Sequence, residues 1–314
     1  MSFGDFLGKL VHILLVAAVA LPTIAALMVW AERRVSAFMQ DRLGPNRVGP
    51  AGLLQPLADL LKFIFKEDVV PGHVNKVLYI IAPCLGLVPA LMAFAVIPYA
   101  RDMAIADLNT GILLVFAVSS IAVYGVTIGG WASNSKYSLL GGVRASAQMI
   151  SYELSLGLSV IPVFLIVGEL NMEAIVAWQA EHIWFCIPLA PAWIIFLVSS
   201  YAETNRLPFD CPEAETELVA GYHTEYSSMK FALFFLAEYI HMITASALSV
   251  TLFFGGYTLP GVTFPDGALG TFLSGLVFAA KTGFFLFLFI WVRWTLPRFR
   301  YDQLMNLGWK RMLP

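Results

Sequence analysis

The chain has 314 residues, 59% of them hydrophobic and 13% charged, with a formal net charge of −2; its mean hydropathy is +0.77. About a quarter of a soluble domain is charged, so half that share with so much Phe and Leu marks a polytopic, all-α membrane protein. No basic tail or Arg-rich motif points to a nucleic-acid partner. Cys84, Cys186 and Cys211 lie far apart with no C-x-x-C pair, and read as packing residues rather than metal or redox ligands. No dinucleotide- or phosphate-binding glycine motif occurs, so a redox cofactor would sit on another chain.

Charge-free apolar runs long enough to cross about 30 Å of hydrocarbon, roughly 20 residues, locate the spans. The first is 10–31, which exceeds a signal-peptide core and enters Glu32-Arg33-Arg34 without a small-residue cleavage site. Gly44-Pro45-Asn46 is a turn signal that ends this helix. In LLQPLADLLKFIFKED (53–68), Gln55, Asp59, Lys62 and Lys66 recur at helical spacing as one polar stripe, with Leu and Phe on the other faces. About fourteen residues at 1.5 Å each reach only about 21 Å, so an amphipathic interfacial helix is expected there. Six more spans follow at 77–98, 110–131, 151–167, 183–201, 229–254 and 269–295, giving seven in all. The fourth is short and bounded by Glu153 and Glu169.

If the first span runs from outside to inside, the outer segments keep only Lys9 and Arg101 of the 19 Lys and Arg, and Lys281 falls within a span. That asymmetry puts the N-terminus outside and the long connections, 32–76, 132–150, 202–228 and 296–314, on the cytoplasmic or matrix side. No internal repeat or low-complexity linker divides the chain, so a single membrane domain over 1–314 is expected.

The stretch ETNRLPFDCPEAETELVAGYHTEY (203–226) gathers Glu203, Asp210, Glu213, Glu215, Glu217 and Glu225 between two apolar segments. Carboxylates cost most beside a bilayer, so the run reads either as proton or cation handling or as a solvated acidic loop. Glu213 and Glu217, four apart, would repel on a helix, and a clustered state should hold a proton near neutral pH. Within or beside the spans lie Glu153, Glu238, His241 and Lys281, each of which should face protein or a wet cavity. Glu238 and His241 share a helix face, as a structural pair or a proton relay, with Lys281 as counter-ion or snorkelling to an interface. No Ser-His-Asp arrangement or metal-ligand set appears, so hydrolytic chemistry and a bound metal are not expected.

Several long segments carry a resemblance: AERRVSAFMQDRLGPNRVG, LLQPLADLLKFIFKED, ADLNTGILL, GGWASNSKYSLLGGVRASAQMISYE, AETNRLPFDCPEAETELVAGYHTEYSSMKFALFFLAEY and PRFRYDQLMNLGWK. In these the chain resembles the quinone-site membrane subunit of respiratory complex I, the family of the first mitochondrial and the bacterial H subunits. The resemblance implies a non-cofactor-bearing subunit of proton-translocating NADH:quinone oxidoreductase, a translocase, in the bacterial inner membrane or the mitochondrial inner membrane. Its inner loops would enclose a chamber for ubiquinone or menaquinone together with two hydrophilic quinone-module subunits. FMN and iron–sulfur clusters would sit on partner subunits; small membrane subunits, antiporter-like subunits and lipid complete its surroundings. By family position Glu32, Arg33, Arg34, Asp59 and Phe231 belong to the chamber and its entrance. Glu153, Glu203, Asp210, Glu213, Glu215, Glu217 and Glu225 correspond to carboxylates that couple quinone reduction to proton movement. Members usually continue into an eighth span, whereas this sequence ends at Pro314. Rival readings are the anchor subunit of a related membrane-bound hydrogenase or ferredoxin-dependent complex, and a free-standing cation transporter.

Overall fold

Apolar segments of this length must satisfy their backbone groups internally, and helices do so within one segment. The computed structural model describes residues 3–101, 103–211, 219–262 and 264–314. Among them the only β pairing is two isolated bridges, Ala100–Met103 and Leu259–Val262. Six helical stretches among the described residues are long and apolar enough to cross a membrane.

Helix α1 (Phe3–Leu14) passes through a π-helical stretch, Leu15–Ala20, into α2 (Leu21–Met39). The first span is thus Leu7–Met39, longer than expected, because Glu32-Arg33-Arg34 continue the helix up to the turn at 40–46. Next comes α3 (Gln55–Phe65), the expected amphipathic helix, with none of its residues buried. Ser228 secures its end by donating to the Phe63 and Lys66 carbonyls at 2.9 and 3.0 Å, groups that a helix C-terminus leaves unsatisfied.

Helices α4 (Lys76–Ala93), α5 (Gly111–Ala132) and α6 (Lys136–Val167) pack side by side. Gly125 lets α4 and α5 close: a Cβ there would lie 2.7 Å from the Gly86 nitrogen. Residues 132–150 are not the expected loop, since α6 runs unbroken for 32 residues from Lys136. The charge-free criterion stopped at Arg144, yet nothing in 136–150 breaks a helix. The Gly141-Gly142 pair instead admits backbone neighbours, with Gly221 2.7 Å from a Cβ placed at Gly141. Gly168, in the left-handed region at φ 80°, ends α6.

Helix α7 (Met172–Glu181) is capped by the Asn171 side chain, and α8 (Ala190–Glu203) has only 14 residues. The expected fifth span, 183–201, is therefore not a full-length helix; α8 reaches about 21 Å. Pro188 and Pro191 fix the reason, because proline is tolerated at a helix start and disfavours helix in the residue before it. Helix α9 (Ser228–Phe253) lies at the centre, against α2, α3, α4, α7, α8 and α10 (Ala268–Thr295). Short α11 (Tyr301–Leu307) is held by the Tyr152 hydroxyl, which donates to the Leu304 carbonyl at 2.7 Å.

Two devices seat the acidic connection. Pro83 lacks an N–H, which frees the Tyr79 carbonyl four residues earlier; the Tyr226 hydroxyl donates to it at 3.1 Å. Tyr79 in turn donates to the Glu225 carbonyl at 2.6 Å, and the two rings stack at 4.1 Å. At the other end, the buried Gln148 amide nitrogen reaches the Ala202 and Phe209 carbonyls at 2.8 and 2.7 Å.

Candidate functional site

Buried charge is tolerated only when it is paired and hydrogen-bonded. Glu32 on α2 is 5% exposed. Its carboxylate accepts from Arg206 at 3.1 and 3.2 Å, from the Tyr239 hydroxyl at 2.7 Å and from Arg293 on α10. Arg206, from the acidic connection, also pairs with Glu238 on α9, and its guanidinium carbon lies 4.4 Å from the centre of the Tyr239 ring. Burial alone would push the Arg206 pKa down. Glu238, Tyr239 and Glu32 outweigh it and hold the guanidinium well above its ordinary value. Nearby, Arg298 donates to Asp210 at 2.9 Å. Charges alternate as Arg293–Glu32–Arg206–Glu238 and link α10, α2, the acidic connection and α9, with the Asp210–Arg298 pair close by.

Beside this cluster two small cavities open inside the bundle. The first, about 20 Å³, is lined by Ser119, Ser200 and Thr244 among others; the second, about 40 Å³, by Asn205, Tyr222 and Glu238. Glu203, Thr204 and His241 line both. Roughly 10–15 Å³ suffices for one water molecule, so each void has room for at least one. The Thr244 hydroxyl is buried with no protein partner, the kind of group that an enclosed water satisfies. Glu203 is in reach of Ser119 and of the field of Glu153, and the next hydroxyl on α5, Ser120, donates to Glu153. The arrangement therefore offers Glu153, Glu203 and Glu238 around hydroxyls and water-sized space.

The third region is where α2, α3 and α9 pack against one another. Arg33 donates to Asp59 at 2.7 Å, and Gln55 donates to the same carboxylate at 3.1 Å. Phe231 meets Phe63 with ring centres 6.2 Å apart and His223 at 5.2 Å. Lys230 pairs with Asp68 at 2.5 Å. Arg34 is turned away and donates to the Pro45 carbonyl at 3.1 Å. Burial pushes the His223 imidazole down to about 4, which keeps it neutral.

The structure thus brings Glu153 and Glu203 together and sets the Asp210–Arg298 pair near the Glu32 cluster, while Arg33, Asp59 and Phe231 share the region where α2, α3 and α9 pack. Glu225 is half-buried, with its backbone held by Tyr79. Glu213, Glu215 and Glu217 lie outside the described residues. Lys281 is not the counter-ion of a buried acid. Its ammonium donates to the carbonyls of Phe254, Gly256 and Thr258 at 2.7, 2.9 and 2.5 Å, and sits 4.4 Å from the Trp184 ring centre. These carbonyls belong to the turn that follows α9, where no helix ladder pairs them. Arg206, Tyr239 and Arg293 were absent from the expected site, whereas Glu238, expected as a structural pair or relay with His241, is paired with Arg206. Arg206 carried one usable signal, as the sole Lys or Arg in the acidic stretch 203–226. Among the described residues, no group of three or more His, Cys, Asp or Glu could hold a metal ion.

Fold and site together define an all-α, multi-pass membrane protein whose bundle encloses paired charges and acid-lined voids. The sequence pattern of the family described as NADH dehydrogenase matches residues 11–314, and the chain belongs to that family. NADH-quinone oxidoreductase subunit 8 of Rhodothermus marinus is 54% identical over 306 residues, 92% of this chain and 89% of its own length. The H subunit of the Salinibacter ruber NADH-quinone oxidoreductase is 55% identical over 302 residues, 92% of this chain and 88% of its own. The H subunit of the Rickettsia bellii enzyme is 51% identical over 317 residues, 99% of this chain and 92% of its own.

Proposed function

We propose that the chain is the membrane subunit of a proton-translocating NADH:quinone oxidoreductase, resident in a bacterial inner membrane with its N-terminus outside. In this reading it forms much of the quinone chamber with two hydrophilic partner subunits, and small and antiporter-like membrane subunits continue the arm. FMN and iron–sulfur clusters belong to the partners. The observation that carries the reading is the joining of Glu203 and Glu238 by water-sized space one step from the Glu32–Arg206 cluster. In this reading, acids that exchange protons stand beside charges that respond to a neighbour.

The packed faces of α2, α3 and α9 would supply an apolar approach, with the Phe63–Phe231 ring pair on it and the Arg33–Asp59 ion pair beside it. A quinone headgroup that gains two electrons in such surroundings also needs two protons. Negative charge on it raises the proton affinity of nearby carboxylates, Glu32 and the acidic connection first. A change of three pKa units is worth about 4 kcal/mol. Moving one proton against about 150–180 mV takes roughly 3.5–4 kcal/mol. One such shift therefore matches one translocated charge, and several charges require several coupled acids, which Glu153, Glu203, Asp210, Glu213, Glu215, Glu217, Glu225 and Glu238 provide.

The test is Glu203→Gln, with Glu213→Gln beside it, in the assembled membrane complex. Quinone reduction and pumping should fall together by at least about tenfold, while NADH oxidation by an artificial acceptor that draws electrons before quinone persists. Full turnover with full pumping in both variants would remove these acids from the mechanism.

A further inference from the structure

We propose that His241 relays protons from Glu203 to Glu238 at the second cavity, which all three side chains line. The inference rests on the carboxylate-path reading above and names the group that joins its parts. Glu238 borders only the second cavity, whereas Ser119, Ser200 and Thr244 border only the first. The side chains common to both are Glu203, Thr204 and His241. The Thr204 hydroxyl is committed to its own helix, donating to the Ser200 carbonyl at 2.9 Å. Of the shared groups, His241 alone remains as a base beside the two acids.

Its place on α9 suits that role. Glu238, His241 and Thr244 follow at intervals of three, so they lie along one face about 4.5 Å apart in rise. Gly86 of α4 lines the second cavity beside the ring. The titratable groups around it are Glu203 from α8, Glu238 from its own helix and Tyr222 from the acidic connection, with Arg206 behind Glu238.

The step balances without any electron transfer. Glu203, protonated, gives its proton to the unprotonated nitrogen of neutral His241 and becomes a carboxylate, leaving a briefly charged imidazolium. The imidazolium gives the proton to the Glu238 carboxylate and returns to neutral. Arg206 and Glu32 then set how long Glu238 keeps it.

The experiment uses the membrane-embedded complex with His241→Asn, His241→Gln and His241→Ala, alongside Glu203→Gln and Glu238→Gln. Electron transfer from NADH to a hydrophilic artificial acceptor reports that each complex is assembled. The Asn and Gln variants should lose at least about tenfold in quinone-linked proton pumping, the scale on which a placed acid–base group acts. In the Ala variant, added imidazole should restore pumping, and substituted imidazoles should do so in order of their basicity, a response that a packing role would not give. Pumping at the normal rate in the Asn variant, with loss in Glu203→Gln or Glu238→Gln, would overturn the role of His241 and leave the acid path standing. Normal pumping in all of these variants would overturn both.

Discussion

Arg206→Met removes the cation on which the buried cluster turns. The guanidinium makes two contacts to Glu32 and pairs with Glu238, all largely buried. After its loss both carboxylates depend on Arg293, whose side chain is 30% exposed and which touches only Glu32 of the two. Breaking a buried pair from one side costs about 3–5 kcal/mol, and uptake of a proton by Glu238 would hold the loss near the lower figure. Glu238→Gln alone should cost about 1–2 kcal/mol, because Arg206 keeps Glu32. Combined, the two substitutions leave Glu32 with Arg293 and Tyr239, so the loss should be smaller than the sum by about 2 kcal/mol. Thermal release of this chain from the purified complex, followed for wild type, both single variants and the double variant, measures the cycle. Additive losses, or an Arg206→Met variant within about 0.5 kcal/mol of wild type, would refute the assignment of Arg206 as the shared counter-ion.

Lys281→Met should behave differently, since it strands three carbonyls at the end of α9 rather than an acid. A loss of about 3 kcal/mol in thermal stability is expected, with pumping per assembled complex unchanged; reduced pumping per complex would return Lys281 to the proton path. The acidic connection should also loosen in mild acid. His223 has its folded pKa pushed down to about 4, against an ordinary value of about 6.5. Between those values the unfolded segment binds more protons than the folded one, so stability is full above about pH 6.5 and declines as pH falls toward 4. Hydrogen exchange at residues 219–226, corrected for intrinsic rates, should speed up over that window, and a flat profile would contradict a buried neutral imidazole.

Apolar length in the sequence sufficed for the membrane class and for most spans, because hydrocarbon imposes helices on any long uncharged run. The polar stripe of 55–66 gave α3 for the same kind of reason: periodicity is local. The criterion failed where tertiary contacts offset the cost of charge or broke length. Arg144 and the Gly141-Gly142 pair sit inside α6, since Arg144 lies over the Tyr301 ring and the glycines accept neighbouring backbone. Pro188 and Pro191 cut the fifth expected span to the short α8.

The candidate site divides in the same way. Glu153, Glu203 and Asp210 were legible as acids in an apolar setting, and family motifs pointed to Glu32, Arg33, Asp59 and Phe231. Which cation answers which acid was not, because Glu32, Arg206, Glu238 and Arg293 are up to 261 positions apart in the chain, and pairing over such separations is set by how helices pack. Lys281 illustrates the limit: its span and charge were evident, while the free carbonyls that hold it exist only once α9 ends against α10. Composition and periodicity thus determined that this chain is a helical membrane protein, poor in charge, with acids gathered in one connection. The packing of α2, α8, α9 and α10 alone decided which acids are paired, which face water-sized space and which histidine lines that space with them, since those distances depend on contacts no local pattern encodes.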